Sequence, residues 1–209
     1  MTKNTILLQA TELSFAYPGQ ALFNNWSGEI TPGVTLIYGG DGRGKTSLLQ
    51  LLAGVLPVQK GQLQIQGAYL HTEPDVYRNQ IFWVDPATED FDQMTVMEYF
   101  TSLHKQYPLF DETLLENVIE GLGLTPHVDK KLFMLSTGSK RKVWLAAAFA
   151  AGATINLLDD PFAALDKTSI NFVVKMLTQF AQHSAQAWVI TMYQVPQGVP
   201  LAGLIDLGD

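Results

Sequence analysis

The run Gly39-Gly40-Asp41-Gly42-Arg43-Gly44-Lys45-Thr46 satisfies the spacing G-x-x-x-x-G-K-[ST] and is continued by Ser47. In such a loop the glycines let successive backbone N–H groups converge on a phosphate with no Cβ in the way. Lys45 reaches the terminal phosphate oxygens, and the Thr46 hydroxyl is a hard oxygen donor for Mg²⁺. A loop of this kind calls for a carboxylate at the end of a neighbouring buried strand to complete the magnesium shell. Asp159, which closes the apolar run Ile155-Asn156-Leu157-Leu158, is that carboxylate. Asp160 comes next, where a second carboxylate can polarise an attacking water.

These groups meet only if the chain folds so that both runs end at one edge of a sheet. Residues 34–38 and 155–158 are short, apolar and continuous, the pattern of parallel strands buried on both faces. Each leads into a helical stretch, residues 45–53 after the first and 167–183 after the second, and further strands are expected at 187–191 and 204–207. Strand then helix, repeated, predicts an α/β fold with a P-loop NTPase core and a mostly parallel sheet. Residues 6–17, 26–30 and 62–66 carry β-formers separated by Gly and Pro, which predicts a smaller antiparallel β subdomain at the N-terminus. Between residues 86 and 134 the pattern becomes two amphipathic helices, 96–106 and 111–122, an inserted helical subdomain. The expected division of one domain, 1–209, is a first core part at 1–86, the helical subdomain at 87–135 and the remaining core at 136–209.

Composition limits the partners. Thirteen Lys+Arg against twenty Asp+Glu give a net charge of −7, which opposes broad attraction to nucleic acid or an anionic bilayer. The absence of cysteine excludes disulfide scaffolds, thiolate zinc sites and thiol catalysis. The first thirteen residues show no secretion signal, and the most apolar window, 145–158, is broken by Gly152, Thr154 and Asn156 and falls short of a membrane span. If a membrane matters, it enters through a partner.

The segment Leu135-Ser136-Thr137-Gly138-Ser139-Lys140, followed by a helix over 141–151 and then by the Asp159 strand, resembles the L-S-G-G-Q signature of the ATP-binding cassette (ABC) ATPases. Other hallmarks of that family fall at its spacing. Tyr17 resembles the aromatic that stacks on adenine, and Ala164-Leu165-Asp166 resembles the loop that crosses a dimer interface. Met94-Thr95-Val96-Met97-Glu98 is similar to the family's entry into its helical subdomain. The resemblance implies ATP and Mg²⁺ as ligands and a head-to-tail dimer, with a second copy or a different nucleotide-binding domain as partner. Each ATP would lie between the phosphate loop of one subunit and the signature of the other, with Ser136, Thr137, Gly138 and Ser139 facing the partner's γ-phosphate. It further implies a transmembrane transporter subunit as partner and a place on the cytoplasmic face of the membrane. Within the family, residues 190–192 and 204–208 are somewhat similar to the exporter ATPases of cytochrome c maturation.

Three positions depart from the family. Asp160 stands where the family has glutamate, Pro86 beside Asp85 where it has the glutamine that senses Mg²⁺, and Tyr193 where it has histidine. Proline offers no side-chain donor or acceptor, and tyrosine carries no charge near neutral pH. The binding set is intact and the hydrolytic set eroded, so two functions are expected to compete: a slow transporter ATPase, or a non-hydrolysing nucleotide-binding module that pairs with a regular cassette. Cations oppose the dipole at a helix N-terminus, so one of Lys140, Arg141 and Lys142 is expected to face a phosphate or a partner.

Overall fold

The computed structural model describes residues 5–183 and 185–208, without the His183 side chain. Its core is a five-stranded parallel sheet in the order β6-β7-β8-β3-β9, formed by β3 (Gly33–Tyr38), β6 (Ile81–Trp83), β7 (Ile155–Asp159), β8 (Ala187–Met192) and β9 (Leu201–Asp206). Side chains alternate between the two faces of this sheet. Val34, Leu36, Leu158, Trp188 and Ile190 pack on one side, and Ile37, Ile155, Leu157 and Val189 on the other. Both faces are covered, which is why the strands read as mainly apolar runs rather than as alternating ones, with Thr35 and Asn156 buried among them.

The first face is closed by the helical part of the chain: α3 (Val96–Gln106), α4 (Glu112–Gly121), α5 (Thr137–Ala150) and α6 (Lys167–His183). Trp188 anchors it, its ring 5.0 Å from Phe149 and 4.7 Å from Phe180, and truncating so large a buried ring costs about 3–5 kcal/mol. The second face is closed by α1 (Lys45–Leu52) and by an antiparallel sheet in the order β2-β1-β4-β5. Its strands are β1 (Leu8–Tyr17), β2 (Gln20–Ile30), β4 (Lys60–Ile65) and β5 (Ala68–Tyr69), and α2 (Pro74–Arg78) joins it to the core.

Several boundaries differ from expectation for local reasons. β2 starts at Gln20 rather than near Trp26, because Tyr17 pairs with Gln20 across a tight Pro18-Gly19 hairpin and carries the strand on. The last strand begins at Leu201, where it pairs beside Val34. α5 begins at Thr137 rather than Arg141, since Ser136 accepts a hydrogen bond from Ser139 N and caps it. β5 and α2, only two and five residues long, carry too little periodicity to be foreseen. α3 runs over the expected residues because Thr95 and Glu98 form a reciprocal capping box. Among the described residues no helix is long and apolar enough to cross a membrane.

Candidate functional site

The loop between β3 and α1 carries the first group of site residues. Gly44 is the N-cap of α1 at φ 89°, a left-handed conformation that a Cβ would penalise, with the Phe23 ring 3.2 Å from where that Cβ would lie. Among the described residues no side chain caps α1, so the N–H groups of its first turn are open to an anion. Lys45 curls back over the loop, donating to the carbonyls of Gly39 and Gly40 at 2.7 Å each. These bonds hold the ammonium of a largely buried Lys45 at the edge of the cleft.

Parallel pairing brings the second group to the same edge. Asp159 and Thr191 are register partners at the ends of β7 and β8. The Asp159 carboxylate accepts from the Thr46 hydroxyl at 2.8 Å and from the Thr191 hydroxyl at 2.5 Å. Thr46 and Asp159 are therefore adjacent oxygen donors, and because Mg²⁺ keeps several waters, one carboxylate and one hydroxyl beside substrate phosphates fit it. The Thr191 hydroxyl also accepts from the Asp160 N–H at 2.9 Å. Asp160 is half-buried at φ 44°. Burial pushes its carboxyl above the usual range; Arg141 and Lys45 oppose that, and Asp159 adds to it.

The aromatic residues line one cleft of about 310 Å³ with the loop. Tyr17, 39% exposed, stands edge-on to Phe15 at 4.9 Å, its hydroxyl 3.3 Å from Ser47 Oγ. The Gln59 amide fixes the neighbouring backbone, accepting from Ala16 N at 3.0 Å and donating to Ala16 O at 2.9 Å. Tyr193 lies with its ring centroid 3.9 Å from Lys45 Nζ, and its hydroxyl donates to Asp41 at 2.7 Å. It is thus committed to the phosphate loop. Pro86 borders a small cavity beside Arg141 and Asp159, while the Asp85 carboxylate closes a turn on Ala87 N.

Residues 136–139 lie apart from this cleft. The Ser136 hydroxyl donates to Ser139 Oγ at 3.0 Å and accepts from Ser139 N at 3.1 Å, so their polar groups close on one another. Gly138 is required by close approach, since a Cβ there would lie 2.5 Å from the Ala164 carbonyl. The cations that follow, one of which is expected from the sequence to face a phosphate or a partner, each have a partner within the chain. Lys140 pairs with Asp92 at 2.5 Å, Lys142 pairs with Asp166 at 2.8 Å, and Arg141 donates to the Asp159 carbonyl at 2.5 Å. Two carboxylates and the carbonyl that ends β7 accept their hydrogen bonds.

Sequence reasoning missed Thr191 and Gln59, and it named Arg141 without its bond to the Asp159 carbonyl. Thr191 ends a run expected as a strand, but its place beside Asp159 follows from parallel register, which the run itself does not encode. Nothing in the spacing pointed to Gln59.

Comparison with known proteins gives a consistent set of likenesses. The family pattern described as ABC transporter matches residues 23–163. The chain is 32% identical over 211 residues to the cytochrome c biogenesis ATP-binding export protein CcmA of Pseudomonas syringae pv. syringae, covering 99% of this chain and 97% of that one. It is 30% identical to the protein of the same name from Escherichia coli K12, covering 89% and 87%. Among solved structures, an ATP-binding subunit of an ABC transporter superposes with a TM-score of 0.78 at 22% identity, covering 88% of this chain and 79% of that one. An ABC transporter ATP-binding protein from Pyrococcus furiosus gives a TM-score of 0.75 at 23% identity, covering 96% of both chains. At those identities the structures speak for the fold.

Proposed function

The chain belongs to the ABC transporter family, and from that premise we propose that it is the ATP-binding and slowly hydrolysing subunit of an exporter, working as a head-to-tail dimer on the cytoplasmic face of a membrane-spanning partner. One observation carries the reading: Asp159 is held between Thr46 of the phosphate loop and Thr191, which supports a single site made of a magnesium-binding carboxylate, the loop and Lys45. The relatives named as cytochrome c biogenesis export proteins support an export role.

Tyr17 offers its face to adenine. Residues 39–47 wrap the phosphates, and Lys45 exchanges its bonds to Gly39 and Gly40 for the β- and γ-oxygens. Thr46 and Asp159 would hold Mg²⁺, which when bound would neutralise charge on the phosphate oxygens. Ser136, Thr137, Gly138 and Ser139 serve the ATP of the other subunit, where the dipole at the N-terminus of α5 favours negative charge. Hydrolysis forms a bond from water oxygen to the γ-phosphorus and breaks the bond to the β–γ bridging oxygen. ADP leaves with the electron pair, and Asp160 accepts the proton from water. Tyr193, in the histidine position, shares the phosphate-loop end of the cleft. Residues 87–135 are offered to the membrane partner.

A second reading, a non-hydrolysing module paired with a regular cassette, is favoured by the short Asp160 side chain and by a Tyr193 hydroxyl already committed to Asp41. Sedimentation of an Asp160→Asn variant tests the first reading as a pair of identical chains. A dimer with Mg·ATP and a monomer with Mg·ADP are expected; a monomer with ATP demonstrably bound would overturn self-pairing and favour the second reading. Phosphate release by the wild-type chain then separates the two, since the module releases none.

A further inference from the structure

The peptide unit that joins Asp159 to Asp160 has both of its polar groups tied. Its carbonyl accepts from Arg141 Nη1 at 2.5 Å, and its N–H donates to Thr191 Oγ1 at 2.9 Å. The orientation of that peptide plane fixes the direction in which Asp160 leaves the backbone, and Asp160 sits at φ 44°, a conformation that L-residues other than Asn and Asp rarely keep. Such a conformation persists only where surrounding bonds over-determine it. Here one of the two bonds comes from a neighbouring strand and the other from a helix.

Arg141 lies on the first turns of α5, the helix capped by Ser136. Its side chain is half-buried and borders a cavity of about 20 Å³ with Phe82, Pro86, Trp144 and Leu158. Apolar groups on that side leave the guanidinium directed at the Asp159 carbonyl. The next residue, Lys142, is tied to Asp166, so α5 is fastened to the chain on both sides of the segment that carries Asp160.

We propose that Arg141 is a positioning residue for hydrolysis: through the Asp159 carbonyl it holds the peptide that aims the Asp160 carboxylate. The inference rests on the reading that Asp160 orients the attacking water. It also makes the signature helix a mechanical neighbour of the hydrolytic carboxylate in the same subunit, so that movement of α5 reaches Asp160 directly.

Single-turnover hydrolysis of Mg·ATP by the full chain in excess, with ATP affinity measured separately, tests this. Arg141→Met keeps the packing stem and removes the donor. Its hydrolysis is expected to fall about 10- to 100-fold, the cost of misplacing a reacting group by about 1 Å, while ATP affinity stays within about threefold because ground-state contacts survive. Arg141→Lys, which keeps the charge without the planar fork, is expected in between. In an Asp160→Asn background the Arg141→Met change should add no more than about twofold, since the group it positions is already gone. A folded Arg141→Met chain hydrolysing at the wild-type rate overturns the proposal, as does a double variant that loses the full product of the single effects. If Arg141→Met does not fold, Arg141→Lys decides: a several-fold loss with affinity kept supports it, and a wild-type rate overturns it. Asp160→Asn hydrolysing at the wild-type rate would instead overturn the reading of Asp160, and this proposal with it.

Discussion

Asp160→Glu should make the enzyme faster and the fold less stable at the same time. The backbone at this point is held by the 2.5 Å bond from Arg141 to the Asp159 carbonyl and the 2.9 Å bond from Asp160 N to Thr191, so the Cα has little room to adjust. One added methylene then advances the carboxylate by about 1.5 Å, the length of a carbon–carbon bond. If the native aspartate is short by even about 1 Å, the deficit is worth about a hundredfold in rate. A gain of roughly 10- to 100-fold in kcat corresponds to about 1.4–2.7 kcal/mol of transition-state stabilisation. The cost is conformational. Asp160 lies at φ 44°, where an ordinary L-residue is disfavoured by about 1–2 kcal/mol and aspartate by less. Glutamate should therefore lower stability by up to about 1 kcal/mol, or about 2–4 °C in Tm for a chain of this length. Steady-state phosphate release and thermal unfolding measure the two effects, and Asp160→Glu combined with Tyr193→His should exceed either single change. A folded, ATP-binding Asp160→Glu variant that is no faster would show that Asp160 is already an adequate base.

Tyr17→Ala should weaken ATP by about 1–3 kcal/mol, the range for a base stacked on an aromatic ring, and leave inorganic triphosphate unchanged; equal loss for both ligands in calorimetry would refute adenine stacking. Asp166 accepts from Lys142 and from Ser169, which holds its carboxyl well below the usual carboxylate range. A depressed folded-state value contributes stability that is complete above the unfolded-state value of about 4 and fades as pH falls toward the folded-state value. The stability gap between wild type and Asp166→Asn should accordingly shrink in denaturant melts below pH 4, and a constant gap would refute the linkage. Gly138→Ala places a Cβ 2.5 Å from the Ala164 carbonyl, an overpacking expected to destabilise by about 1–3 kcal/mol; an unchanged unfolding midpoint would show that the Ala164 loop yields freely.

How far the chain could be read in advance depended on the range of the interaction. The strands at 34–38 and 155–158 were legible because both faces of their sheet are covered, which leaves short apolar runs interrupted only by the buried Thr35 and Asn156. The phosphate loop was legible because its chemistry is local: a turn, a lysine and a hydroxyl within eight residues. Asp159 followed from the loop's need for a metal ligand. The pairing of Thr191 with Asp159, the Arg141 bond to the Asp159 carbonyl and the Gln59 grip on Ala16 span 32, 18 and 43 residues. Such contacts depend on strand register and helix rotation, which no local pattern encodes. The inward turn of Lys140 and Lys142 was hidden for the same reason, since Asp92 and Asp166 are brought to them only by the packed fold.

The most direct test is calorimetric titration of Mg·ATP into the full chain and into Lys45→Ala, because every proposed role depends on nucleotide entering the cleft over that ammonium. Saturable binding by the wild-type chain, largely abolished in a folded Lys45→Ala variant, is expected. Unchanged affinity in Lys45→Ala, or no binding by the folded wild-type chain, would contradict the assignment of the site.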